Sequence, residues 1–220
     1  DEAKKHQVNI MEGFMYAFHP QFDRIKNIIH SNIIGEVNYA HSMFSFPIKP
    51  ARYYRINRSI KKGGGALWDI GPYAIHTLRQ FFKESPQRVY AQSQLNEYNA
   101  DISTTGIIDF GSNKRATFDI SFKCTRRSEF EVFGPEGRVK CPSVWQPEDQ
   151  TAKIIYTTEK KGLTEEIVPM ANHFEREIQH FNEVIKRNIN PKLDAEDAIW
   201  NAITLEGIQK SIEVNEWVKL

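Results

Sequence analysis

The strongest constraint on this chain's fold is a change in the spacing of its apolar residues at Ser85-Pro86. Before that point they recur at helical spacing. Phe22, Ile25, Ile28 and Ile29 follow Pro20, and Leu67, Ile70, Ala74, Leu78 and Phe81 follow Gly63-Gly64-Gly65. After it the period falls to two, through residues 88–97, 101–110, 114–123 and 128–133. The third of these segments sets Ala116, Phe118, Ile120 and Phe122 against Arg115, Thr117, Asp119, Ser121 and Lys123. Strands that bury one face and wet the other, joined by short turns, belong to an antiparallel sheet with one open face. Gly111-Ser112-Asn113 reads as the turn of a hairpin, and Gly134-Pro135-Glu136-Gly137 as the turn into a short strand at 138–141. Residues 153–158 and 165–168 form another expected hairpin, while 8–16 and 37–46 read as strands on their β-branched and aromatic content.

Two helices are expected to close the chain. One carries Phe174, Ile178, Phe181 and Ile185 on one face; the other starts at the N-cap Asp194 and runs through Ala198, Ala202, Leu205, Ile208 and Ile212. The order of strand, helix, strand, helix, strands, helices is α+β and departs from the βαβα alternation of a doubly wound fold.

A chain of 220 residues with 40% hydrophobic and 26% charged residues can bury a substantial core without staples. Its net charge of +1 gives no global reason to expect nucleic acid or a membrane surface as partner. No apolar run approaches the roughly 20 residues of a membrane span. Two cysteines, Cys124 and Cys141, make no disulfide framework, so a reduced, cytoplasmic protein is expected. Cys124 lies near Arg126 and Arg127 but has no positioned base, which favours an inert thiol.

The segment from Gly63 to His76, GGGALWDIGPYAIH, is the most informative. Pro72 is tolerated only in the first turn of a helix, so a helix is expected to begin near Asp69 to Gly71. Asp69 then sits where the helix dipole favours an anion, with Tyr73 four residues on along the same face and His76 close to it. The plain structural alternative is an N-capping Asp with two surface rings. His173, Glu177 and His180 recur on the polar face of a helix, as a solvated face or, less simply, a zinc clamp. The basic stretch Lys49, Arg52, Tyr53, Tyr54, Arg55, Arg58 could grip an anionic or sugar-like ligand or be solvated. No G-x-G-x-x-G or P-loop motif occurs in the chain.

GGGALWDIGPY, preceded by EGFMYAFHP and followed by FEVFGPEGRV, resembles the C-terminal half of Gfo/Idh/MocA oxidoreductases, the glucose–fructose oxidoreductase and inositol dehydrogenase family. The resemblance runs in order from about residue 7 to the final helix, DAEDAIWNAITLEGIQKSIEVNEW. It implies a large, mostly antiparallel open-faced sheet with helices packed on one side, in a domain that walls the substrate site and forms the oligomer contact. Residues 1–13 are then expected to be the remnant of a Rossmann domain's last helix and strand, and 14–220 the substrate-binding and oligomerisation domain. The family's NAD- or NADP-binding domain and its Glu-Lys-Pro lysine have no counterpart here, so no cofactor is expected on this chain alone.

In the family motif an Asp and a His or Tyr four residues on face the substrate. Those positions match Asp69 and Tyr73, the expected catalytic pair, and Tyr at the second resembles the glucose–fructose oxidoreductase and dihydrodiol dehydrogenase branch. Tyr16, His19, Tyr54, Arg55 and His76 are expected to bind substrate; no metal site is expected. Ala17 stands where family members often carry Arg. The expected partners are a small sugar-like molecule and further copies of the chain, meeting through the sheet face near Trp145, Ile154 and Ile155. The alternative is a non-catalytic ligand-binding or scaffold domain of the same fold.

Overall fold

A computed structural model of the chain describes residues 2–82, 84–147 and 151–220. Among them nine strands form one sheet: β1 (Tyr39–Ser45), β2 (Arg88–Leu95), β3 (Asp101–Gly111), β4 (Lys114–Ser121), β5 (Arg127–Gly134), β6 (Gly137–Cys141), β7 (Thr151–Thr158), β8 (Gly162–Pro169) and β9 (Val218–Lys219). Their spatial order is β8-β7-β6-β5-β1-β4-β3-β2-β9. Every neighbouring pair is antiparallel except β1 and β4, which run parallel. The architecture is therefore α+β with a mostly antiparallel sheet.

The register explains the alternation in the sequence. Ala40, Ala116, Ile108 and Val89 lie in one row across β1, β4, β3 and β2, and Val132 continues it on β5. All five are fully buried, beneath helices on one face. These are α2 (Pro20–His30), α3 (Ala66–Asp69), α4 (Gly71–Arg79) and α6 (Ala195–Val214). The opposite face is polar and cross-paired. Tyr39 and His41 both hydrogen bond Thr117, at 2.5 and 2.7 Å, and Lys140 meets Glu129 at 2.7 Å. The hairpin turn holds as expected, with Ser112 and Asn113 at φ of 47° and 63° as a two-residue β-turn of the primed class requires.

Four expectations are corrected. Residues 8–16 form no strand and pair with none of the nine; a single helical turn (α1, Glu2–Lys5) precedes them and a 3₁₀ turn, Met15–Phe18, ends them. Asp1 lies outside the described residues. A helix does begin at Gly71 with Pro72 in its first turn, as expected, but the single helix expected through Leu67 and Ala74 is two helices broken at Ile70, and Asp69 ends the first instead of capping the second. Trp145 and Ile154 are fully buried and cannot meet a partner through the open face. The fourth correction concerns α5 (His173–Arg187), which is turned over relative to its pattern. Its polar stripe of His173, Glu177 and His180 is half-buried and Val184 fully so, while Phe174, Ile178 and Ile185 are 55–62% exposed. Among the described residues no group of His, Cys, Asp and Glu gathers to hold a metal ion.

Candidate active site

The break between α3 and α4 builds the site. Gly65 precedes α3 at φ +96°, and a Cβ there would sit 1.8 Å from Asp101 Oδ1, so only glycine fits. That approach lets Asp101, on β3, accept from Leu67 N at 2.8 Å and cap α3 from a neighbouring element. Thr104 Oγ1 donates to the same carboxylate oxygen at 2.8 Å. Burial outweighs these bonds and pushes Asp101 up to about 6. Gly65 N also donates to Arg55 O at 2.8 Å, tying the basic loop to the helix start. With α3 fixed, Asp69 at its end meets the Arg55 guanidinium in an ion pair.

Pro72 then opens α4 and places Tyr73 one turn beyond Asp69. Arg52, Arg55, Asp69, Tyr73, Trp145 and Gln146 line a cavity of about 220 Å³ with Phe44 and Phe46 on its apolar wall. Trp145 stacks on Phe44 with ring centroids 4.5 Å apart. Among the described residues Tyr73 Oη has no hydrogen-bond partner. Its hydroxyl is pushed above the usual tyrosine range by burial and by the Glu177 carboxylate, against an opposing pull from Arg55.

Behind this cavity lies a buried hydrogen-bond chain. Trp145 Nε1 donates to Thr77 Oγ1 at 2.8 Å, Thr77 Oγ1 lies 2.8 Å from Tyr16 Oη, Tyr16 Oη bonds His76 Nδ1, and His76 Nε2 lies 2.8 Å from Asp197. An indole N–H can only donate and a carboxylate can only accept. A neutral His76 facing the Asp197 carboxylate therefore carries its proton on Nε2 and accepts on Nδ1 from Tyr16, and the Thr77 hydroxyl is left to donate to Tyr16 Oη or to Tyr73 O, each at 2.8 Å. Burial lowers the His76 pKa against the pull of Asp197, keeping the ring neutral, and burial raises Tyr16 well above its usual value. Burial also pushes Asp197 up, but His76 and Arg79 together outweigh it and hold the carboxyl below its usual range.

The expected site residues thus divide. Asp69, Tyr73 and Arg55 share the cavity. Tyr16 and His76 are fully buried behind it, in contact with one another and not with its lumen. Tyr54 stands 57% exposed beside Arg55, whose Nε donates to its hydroxyl at 3.2 Å. His19 is elsewhere: its Nδ1 accepts from Gln21 N to cap α2, and its ring lies 6.0 Å from His173. Burial, with His173 and Arg176 adding to it, lowers His19 to about 4. Sequence reading named Arg52 only as part of a basic stretch that could grip a ligand, placed Trp145 at an oligomer contact, and did not single out Thr77, Asp101 or Asp197 as site residues. Asp197 had a signal of another kind, its place after the N-cap Asp194, where its N–H does donate to Asp194 Oδ1 at 3.0 Å.

The family model of the GFO/IDH/MocA C-terminal domain matches residues 22–140, more than half of the chain. The chain belongs to the Gfo/Idh/MocA family. Within that family it is 28% identical over 216 residues to D-xylose 1-dehydrogenase (NADP(+)) 2 of Haloferax volcanii, covering 97% of this chain and 65% of that protein. It is 29% identical over 163 residues to trans-1,2-dihydrobenzene-1,2-diol dehydrogenase of Xenopus tropicalis, covering 72% of this chain and 47% of that one. The chain thus spans about two thirds or less of these Gfo/Idh/MocA relatives. Among solved structures, aldose-aldose oxidoreductase from Caulobacter crescentus, complexed with glycerol, shares the fold at a TM-score of 0.88 and 20% identity, over 99% of this chain and 65% of that chain. A 3-ketoreductase from Actinomadura kijaniata, in complex with NADP and TDP-benzene, gives 0.85 and 21%, over 95% and 64%.

Proposed function

We propose that this chain forms the substrate-binding and oligomerisation part of an NAD(P)-dependent oxidoreductase that acts on a sugar, polyol or related hydroxyl compound by hydride transfer. The observation that carries the reading is the convergence of Asp69, Arg55 and Tyr73 on one small cavity, in a chain whose relatives include a xylose dehydrogenase. The described residues contain no glycine-rich phosphate loop, and the sheet's one parallel pair, β1 and β4, is joined by no single crossover helix. In this reading the dinucleotide is held by another part of the enzyme.

The work left to these residues is binding and proton handling. The Asp69 carboxylate, held by Arg55, accepts a hydrogen bond from a substrate hydroxyl. Tyr73, with its pKa raised, keeps its proton at neutral pH and donates to a substrate oxygen. It becomes a base only beside a further cation. The polar outer face of the sheet, with Tyr39, His41 and Lys140 on it, is assigned to self-association, and Cys124 and Cys141, both free, suit a reducing cytoplasm. Among the described residues no helix is long and apolar enough to cross a membrane.

The deciding experiment measures turnover in the enzyme with its cofactor-binding part present. Tyr73→Phe and Asp69→Asn should each lower turnover about 100-fold or more, the usual worth of a positioned acid–base group, while leaving the fold intact. Unchanged turnover in both variants would remove the pair from the site.

A further inference from the structure

We infer that the substrate of this cavity is a sugar bearing an anionic group, a carboxylate or a phosphate ester, and that Arg52 binds that group at the cavity mouth. The inference rests on reading the cavity as the sugar site. Residues 47–62 contain Lys49, Arg52, Arg55, Arg58, Lys61 and Lys62 and no Asp or Glu. Two of these six cations meet carboxylates from other elements: Arg55 pairs with Asp69, and Lys61 with Glu213 at 3.3 Å. Arg52 meets none among the described residues, although it lines the cavity. Asp69 is the one carboxylate on the described wall, and Arg55 already neutralises it. The lining therefore holds one guanidinium more than it holds carboxylates.

The excess charge is presented on a fixed backbone. Arg52 lies in the 3₁₀ turn Pro50–Arg55, where its N–H donates to Lys49 O at 2.8 Å. The end of that turn is tied by Gly65 N to Arg55 O, and the residue after it by Asn96 Nδ2 to Ile56 O at 2.7 Å. The Arg52 residue is exposed. Positive potential at this rim also shows at Tyr54, whose hydroxyl is lowered by Arg55 first and by Arg52 as well. A planar guanidinium presents paired donors that match a carboxylate or phosphate edge. At about 220 Å³ the cavity is smaller than the ~300–1,000 Å³ of common ligand sites, so it suits one sugar ring with a substituent left at the mouth.

The test is calorimetric titration of the 220-residue chain with D-glucose, D-glucuronate and D-glucose 6-phosphate, at low and at high sodium chloride. At low salt one or both anionic sugars should bind about tenfold or more tighter than glucose, equivalent to ~1.4 kcal/mol. Glucuronate against glucose 6-phosphate decides which anion the site takes. High salt should shrink the advantage. Arg52→Ala should abolish it without moving the thermal midpoint, and Arg52→Lys should keep part of it. Glucose binding as tightly as both anionic sugars, or a preference that survives Arg52→Ala, overturns this inference alone. Binding of none of the three overturns the sugar-site reading and this inference with it.

Discussion

Tyr16 and Tyr73 are neighbours, 6.3 Å apart between ring centroids, yet losing the hydroxyl should have opposite consequences at the two. In Tyr16→Phe the Thr77 hydroxyl recovers a partner, because Tyr73 O lies 2.8 Å from it. His76 Nδ1 does not recover one. Its ring is fully buried, and moving the proton to Nδ1 would take the N–H away from the Asp197 carboxylate, 2.8 Å from Nε2, and leave an N–H facing a phenyl edge. An orphaned buried acceptor costs about 1–3 kcal/mol. Tyr73→Phe removes a hydroxyl with no partner among the described residues and should cost less than about 1 kcal/mol. At roughly 2–4 °C per kcal/mol for a chain of this size, Tyr16→Phe should lower the Tm by about 2–12 °C and Tyr73→Phe by under about 4 °C. Urea denaturation of both variants, side by side, reads the difference in stability. A loss at Tyr16 no greater than that at Tyr73 would refute the oriented chain. So would a nitrogen-15 spectrum placing the His76 proton on Nδ1.

Three further outcomes are expected. Gly65→Ala should destabilise the chain by well over about 1 kcal/mol, because the new Cβ meets both a positive φ and the Asp101 carboxylate; an unchanged thermal midpoint would contradict the close approach. Asp101 titrates near 6 in the folded chain against 3.8 as the reference, so the folded state holds the proton more tightly, and its contribution is greatest below pH 4 and lost as pH rises through 6. Between pH 4.5 and 7.5 the wild type should lose about 2 kcal/mol relative to Asp101→Asn in urea melts, and a gain instead would reverse the sign of the argument. On α5, Ile178→Glu should change stability by no more than about 0.5 kcal/mol, whereas Val184→Ala should cost about 2 kcal/mol. Thermal unfolding with the reverse ranking would put the apolar stripe inside the fold.

The strands were legible because their alternation is a local property. Phe118 and Ile120 point inward whatever lies beside them. What lies beside them was not legible. The insertion of β1 between β4 and β5 depends on pairings 76 to 94 residues apart, and no periodicity encodes it. The same limit explains the site. Asp69 and Tyr73 share one short segment, so their nearness could be read from it, whereas the contacts of Tyr16 with His76 and of His76 with Asp197 join three distant stretches, brought together by packing. The reversed α5 is a sharper case. Its amphipathic pattern was read correctly, but a pattern states which residues differ and not which side meets the core. The strand expected at residues 8–16 failed for a related reason: β-branched and aromatic content favours a strand only when a partner strand pairs with it, and composition does not name the partner.

The place of β1 has a consequence for how the chain is made. The strand is complete at Ser45, but its partners on either side are complete only at Ser121 and Gly134. The roughly 90 residues up to Gly134 take roughly 5–18 s to synthesise at 5–20 residues per second. Through that interval β1 leaves the ribosome with both edges unpaired and its apolar side, Ala40 and Phe44, uncovered. The middle of the sheet is thus translated early and closed late. Folding must wait on contacts distant in sequence, a topology that slows the search and exposes the nascent strand to chaperones.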